Sequence, residues 1–117
     1  MGESPRLEQL RRRVREDPAS IAFAALAEEY RRAQRLPEAI EPARAGLARH
    51  PSYVTARVTL GRALFEAGAT AAARRELEQA LAAAPENLAA IRALAELLAE
   101  DGALDQARAL ARRGVTL

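Results

Sequence analysis

A chain of 117 residues suits one domain, and on folding it hides roughly two thirds of the surface its unfolded form exposes. Half of its residues are hydrophobic, the formal net charge is only +2, and cysteine is absent. These values exclude a disulfide framework, a thiol nucleophile, a thiolate metal site and the single-sign field of a nucleic-acid binder.

Alanine and leucine dominate the apolar residues and favour helix, whereas Val, Ile and Thr are too sparse for a sheet. Ser4 before Pro5 reads as a helix start, with the hydroxyl as cap and proline in the first turn. Leu7, Leu10 and Val14 follow at helical spacing, and Asp17-Pro18 ends that segment. A second helix is predicted from about Ala19 to Gln34, with Phe23, Leu26, Ala27 and Tyr30 on one stripe. Pro37 opens a third, carrying Ala39, Ile40, Ala43, Gly46 and Leu47 and stopping before Pro51. Pro42 lies inside this helix, where it removes a backbone bond and crowds the preceding turn, so a bend or a late helix start is expected. Val54, Leu60, Gly61 and Leu64 face inward on the next helix, which Gly68 ends in the left-handed geometry that suits glycine. Ala73, Leu77, Ala80 and Leu81 form the following stripe, closed by Pro85. Leu88, Ile91, Leu94, Ala95 and Leu98 mark the sixth helix, with Asp101-Gly102 as its stop, and Ala107, Ala111, Gly114 and Val115 mark the seventh. Connections of two to four residues make sequential helices antiparallel neighbours.

Pro18, Pro51 and Pro85 are spaced 33 and 34 residues apart, and small residues recur at matching offsets between them. Such a period marks a stacked repeat, in which each unit is too small to bury its apolar face and shares a core with its neighbours. Along the first helix of each repeat run Phe23, Leu26, Ala27 and Tyr30, then Arg57, Leu60, Gly61 and Leu64, then Ile91, Leu94, Ala95 and Leu98. Along the second run Ala39, Ala43, Gly46 and Pro51, then Ala73, Leu77, Ala80 and Pro85, then Ala107, Ala111 and Gly114. This pattern resembles the tetratricopeptide repeat family. The resemblance implies an all-α fold, a right-handed superhelix of antiparallel helix pairs with about seven helices in three and a half repeats. The implied organisation is a single domain over residues 1–117, with a half-repeat helix at 5–18, repeats at 20–51 and 54–85, and a truncated repeat at 88–117.

Arg57 stands where the family carries a bulky apolar residue, so its stem is expected to pack while its guanidinium reaches solvent. Gln34 replaces the glycine expected at the first helix end. No solvating helix follows the last repeat, so the face around Leu104, Ala111, Val115 and Leu117 is expected to lie bare until a second copy or the rest of a longer protein covers it.

The resemblance also implies a concave groove lined by the first helices. The family's ligand-contacting positions map onto Ile21, Ala24, Glu28, Arg31 and Arg32, then Thr55, Val58, Arg62, Phe65 and Glu66, then Ala89, Arg92, Glu96, Ala99 and Glu100. Phe65 lies one step off the buried stripe and is expected to be partly exposed, as an anchor or as packing between helices. Arg62 and Arg92 are placed to receive acidic groups, with Glu28, Glu66 and Glu96 as counter-charges. Members that clamp acidic chaperone tails use Lys and Asn, Asn, then Lys and Arg in the groove; Ala24, Glu28, Thr59, Ala89 and Ala93 stand there instead, so that sub-function is not expected.

The chemistry of catalysis is missing. His50 is the only histidine and precedes Pro51, where it suits a helix end. Glu28-Glu29 and Glu100-Asp101 are adjacent in sequence and diverge around a helix. No phosphate loop or metal-ligand spacing occurs. The run Arg11-Arg12-Arg13-Val14-Arg15 is diluted by Glu8, Glu16 and Asp17 and reads as a solvated face. The expectation is a non-catalytic adaptor or scaffold, without cofactor or metal, that holds a protein or peptide partner in its groove and binds neither nucleic acid nor membrane. The alternative is a structural homo-oligomerisation unit that assembles through the uncapped ends. With no apolar leader or long uncharged apolar run, a cytoplasmic location is expected.

Overall fold

Ser4 and Pro5 start the first helix as the sequence predicts: Ser4 Oγ accepts from the Leu7 amide at 3.2 Å. A computed structural model describes residues 4–116, with side-chain surroundings through residue 114. Among the described residues are seven helices and no strand: α1 (Pro5–Glu16), α2 (Ala22–Arg32), α3 (Leu36–Arg49), α4 (Val54–Glu66), α5 (Thr70–Ala83), α6 (Leu88–Glu100) and α7 (Leu104–Thr116). The connections hold three to five residues, so successive helices fold back on one another.

Two kinds of turn alternate. The turns after α1, α3 and α5 share one geometry, because Asp17, His50 and Ala84 each precede a proline and are pushed out of the helical region, with φ of -141°, -128° and -141°. Their carbonyls then accept from the amides of Ser20, Tyr53 and Asn87 at 2.9, 3.1 and 3.0 Å. The turns after α2, α4 and α6 pass through a left-handed residue at Gln34, Gly68 and Gly102, each 34 positions after the last. The next amide in each case, of Arg35, Ala69 and Ala103, reaches back to the carbonyl of Tyr30, Leu64 and Leu98 at 2.8–2.9 Å, which satisfies a helix end. Gln34 takes this role at φ 60° despite its Cβ.

Packing follows the small residues. Ala27, Ala39, Ala43, Ala56, Ala63, Ala73, Ala80 and Ala90 are fully buried and let helix axes approach, while Leu60, Leu77, Ile91 and Leu97 fill the spaces between. Gly46 and Gly61 are the closest approaches: a Cβ there would sit 2.0 Å from the Phe23 ring and 2.6 Å from Leu77 Cγ. Helix α4 lies at the centre, against α2, α3, α5 and α6; among the described residues α1 packs on α2 alone and α7 on α6 alone. The stack measures 45 × 30 × 23 Å.

Several local expectations are corrected. Helix α2 begins at Ala22 rather than near Ala19, because Ser20 Oγ accepts from the Ala22 amide at 3.1 Å and holds residues 19–21 in a turn. Helix α3 starts at Leu36 and is continuous through Pro42, so the late start is not seen. Leu88, expected on the inward stripe of α6, is exposed at the helix start. The Arg57 guanidinium does not run out to solvent. It bridges from α4 to α5, donating to Glu76 Oε1 at 2.7 Å, Gln79 Oε1 at 2.8 Å and the Pro51 carbonyl at 2.9 Å. A polar strap thus replaces the apolar contact that the family places there.

Candidate functional groove

Helices α2 and α4, with the start of α6, enclose an open groove of about 410 Å³. Its floor is small and apolar: Ala24 and Ala25 from α2, Val58 from α4 and Ala89 from α6. On α4, Thr55, Val58, Thr59 and Arg62 fall at i, i+3, i+4 and i+7, so one stripe of the helix presents two hydroxyls, a methyl pair and a guanidinium to the cavity. Glu28, Glu29, Arg32, Arg6, Tyr53 and Asn87 complete the wall.

The charges are not equally available. Arg31 is buried and fork-bonded. Its Nε and one terminal nitrogen donate to the two Glu28 oxygens at 2.8 and 2.9 Å, and the other terminal nitrogen donates to both Glu66 oxygens at 3.2 and 3.0 Å. Arg32 Nε adds a bond to Glu28 Oε2 at 3.1 Å. The hydrogen bond from Arg31, with the charge of both arginines, holds the Glu28 carboxyl below the usual carboxylate range against the opposing effect of its burial. The same bonds push the Arg31 guanidinium further up. Arg6 Nε donates to Glu29 Oε1 at 3.1 Å. Arg62, Arg92 and Glu96 make no ion pair with a described residue.

The expected groove residues therefore divide. Glu28, Thr55, Val58 and Arg62 come together in the groove, with Ala24, Arg32 and Ala89. Phe65 is half-buried and packs on the core; with Arg62, Glu66, Leu77, Ala93 and Glu96 it lines an adjoining cavity of about 80 Å³. Arg31 does not face the groove, since Glu28 and Glu66 consume it, and for that reason those acids are not free counter-charges either. Ile21 is 58% exposed, yet it lies outside the groove, in a depression with Arg49, His50, Pro51, Ser52 and Tyr53. Arg92, and Glu96 on its other side, line a fourth hollow of about 440 Å³ along α6 and α7, with Leu88, Ile91, Ala95, Ala111 and Gly114. Leu104 is 52% exposed and Ala111 is exposed, whereas the Val115 side chain and Leu117 lie outside the described residues.

Tyr53 and Asn87 are groove residues that the family positions do not include. They are the residues just before α4 and α6, and Asn87 also caps α6 by accepting from the Ala90 amide at 2.9 Å. Cap chemistry in the sequence was the available signal for Asn87. His50 has a structural role: it stacks on Phe23 with ring centroids 5.8 Å apart, and its Nε2 lies 2.8 Å from the Ala19 carbonyl. Among the described residues no group of His, Cys, Asp and Glu converges to hold a metal ion, and no helix is long and apolar enough to cross a membrane.

The tetratricopeptide repeat profile matches residues 64–115. Bacteriophage adsorption protein A of Escherichia coli (strain K12) is 35% identical over 89 residues, covering 76% of this chain and 9% of that protein. In shape the chain resembles the crystal structure of MamA, with a TM-score of 0.83 at 20% identity over 94% of this chain and 65% of that one. The MamA AMB-1 structure gives 0.77 at 22% identity over 95% of this chain and 61% of that one. The chain thus spans under a tenth of the curated relative and just under two thirds of these MamA chains. The 34-residue recurrence of left-handed turns, the stacked antiparallel pairs and the matching profile place the chain in the tetratricopeptide repeat family, whose fold serves as a scaffold for protein interaction.

Proposed function

We propose that residues 1–117 form a single non-catalytic interaction module whose groove on α2, α4 and α6 holds an extended segment of a partner protein. One observation carries this reading. The first helix of each pair contributes to one open cavity, and the residues there combine small apolar floor positions with side-chain donors and acceptors. Helix backbone groups are already bonded within the helices, so the side chains on this wall supply recognition. The acids around the groove and the histidine have structural partners: Glu28 and Glu66 on Arg31, Glu29 on Arg6, and His50 on the Ala19 carbonyl. The arginines of α1 sit among acids, which favours a protein partner over nucleic acid or a membrane surface.

Thr55→Trp with Ala89→Trp tests the reading. Both positions are exposed on the groove wall, so the substitutions fill the cavity and leave the core intact. Partner capture from lysate of the source cell should fail for this chain at unchanged helicity and melting temperature. Equal recovery of every partner by the blocked chain would overturn the groove assignment.

A second reading, self-assembly through the uncapped end, has its own observation. Leu88 and Leu104 are among the few exposed large hydrophobics, and the hollow along α6 and α7 has no further helix on it among the described residues. If this face joins copies, Leu104→Glu lowers the mass seen by light scattering; a mass independent of concentration and of that substitution rejects it.

A further inference from the structure

The hollow along α6 and α7 repeats a surface that is covered elsewhere in the stack. Shifted by the 34-residue period, Ala95, Ala111 and Gly114 fall on Gly61, Leu77 and Ala80, while Arg92 and Glu96 fall on Val58 and Arg62. In the second hairpin that surface seats α6: Ala89 shares a cavity wall with Val58 and Ala93 with Leu77, and Val58, Gly61, Leu77 and Ala80 are all buried. The hollow is therefore shaped as the seat of one more helix. Two of the three large hydrophobics exposed among the described residues, Leu88 and Leu104, lie at this end. Leu36, the counterpart of Leu104 in the first hairpin, is half-buried against the core.

The charges of this seat decide which helix fits it. Arg92 takes the place of the buried Val58, so a further helix like α6, which brings Ala89 to that place, would bury a guanidinium without an acceptor. The occupant has to bring an acid to Arg92 and a base to Glu96. Helix α6 itself does so when it runs antiparallel. Arg92 and Glu96 lie four residues apart on one face, and a two-fold axis beside Ala95 sets the partner's Glu96 against Arg92 and the partner's Arg92 against Glu96. Ala95 is small enough for two helices to approach there. The opposite end of the stack does not match. The outward positions of α1 include Glu8, Arg12, Arg13, Arg15 and Glu16, and none of the exposed large hydrophobics belongs to that helix. We propose that two copies of this chain join through the hollow, α6 against α6 about a two-fold axis, as a closed dimer rather than a head-to-tail filament. The inference rests on the self-assembly reading above and adds its symmetry and register. The join takes Leu88 of both copies out of water.

Sedimentation equilibrium of the full chain over a wide range of concentration tests this. The mass should rise from that of one chain to that of two and no further. Arg92→Glu sets acids against acids across the axis, and Glu96→Arg sets bases against bases, so each variant alone should self-associate about ten-fold more weakly or worse. An equimolar mixture of the two variants should associate about as tightly as the unaltered chain, because the acids of one copy then meet the bases of the other. Both positions are exposed, and far-UV circular dichroism should show unchanged helicity in each variant. Three results overturn the two-fold register: a mass that climbs past two chains, single variants that associate like the unaltered chain, or a mixture that associates no better than its components. The self-assembly reading outlives any of these if Leu88→Glu returns the mass to that of one chain. A single-chain mass for the unaltered protein at every concentration removes both readings and leaves this face to a different protein.

Discussion

Gly46 offers the most direct test of how this stack is held together. A methyl group at that position would lie 2.0, 2.2 and 2.3 Å from Phe23 Cδ2, Cγ and Cε2, against an ordinary carbon contact of about 3.5–4 Å. Phe23 has little room to retreat. It is almost fully buried, stacked on His50 and met edge-on by Tyr53, each with centroids 5.8 Å away. Overpacking of this kind costs about 1–3 kcal/mol, and loosening the ring contacts adds about 0.5–1.5 kcal/mol for each pair. Alanine returns about 1 kcal/mol through its better helix propensity. The net expectation for Gly46→Ala is a loss of about 2–3 kcal/mol, or a fall of about 10 °C in Tm for a domain of this size. Gly114 is the internal control, because a Cβ there meets Ile91 Cγ2 at 3.4 Å; Gly114→Ala should be neutral or stabilising by a few tenths of a kcal/mol. Gly61→Ala, with Leu77 Cγ at 2.6 Å, should fall between them. Urea unfolding followed by far-UV circular dichroism ranks the three. Phe23→Leu should lessen the penalty at Gly46, giving a coupling of about 1 kcal/mol in a double-mutant cycle. A Gly46→Ala chain as stable as Gly114→Ala, or a cycle with no coupling, would refute the close-approach reasoning.

Gln34→Gly should stabilise the chain by about 0.5–1 kcal/mol, since the left-handed conformation costs an L-residue about 1–2 kcal/mol and glycine returns part of this as backbone entropy; an unchanged urea midpoint would count against it. Glu28→Gln should cost about 1 kcal/mol near neutral pH. Because the folded Glu28 titrates below its ordinary value of 4.5, its contribution is complete above that value and is lost as pH falls through the depressed one, so the two chains should converge in acid. A difference that grows on acidification would reverse the sign of the argument. Arg57→Ala should cost about 1–2 kcal/mol and Arg57→Leu less, because both leave Glu76 without its donor but leucine refills the space of the arginine stem; midpoints for both variants equal to that of the unaltered chain would show that the strap contributes nothing.

The helices and their phase were legible because local chemistry fixes them. Pro18, Pro51 and Pro85 set one kind of turn through the residue before them, Gly68 and Gly102 set the other, and the small residues mark where axes approach. Availability of the groove charges was not legible. Whether Arg31 reaches a ligand or Glu66 depends on the step from one hairpin to the next, across 35 residues of chain, and no spacing within a helix reports it. His50 on the Ala19 carbonyl, 31 residues apart, and Arg57 on Glu76 are joined within one hairpin, and they depend on how its two helices close rather than on the spacing along either. Ile21 lies off the inner wall for a local reason: the Ser20 turn delays the start of α2 to Ala22 and leaves Ile21 in the depression beside His50 and Tyr53.

Arg31 and Phe65 occupy corresponding places on α2 and α4, and they join their hairpins to the next by different forces. The first joint is an ionic clasp from Arg31 to Glu66; the second rests on an aromatic ring among Leu77 and Ala93. Added salt weakens contacts of the first kind and cooling weakens those of the second, so the superhelix is a spring whose two coils stiffen under different conditions.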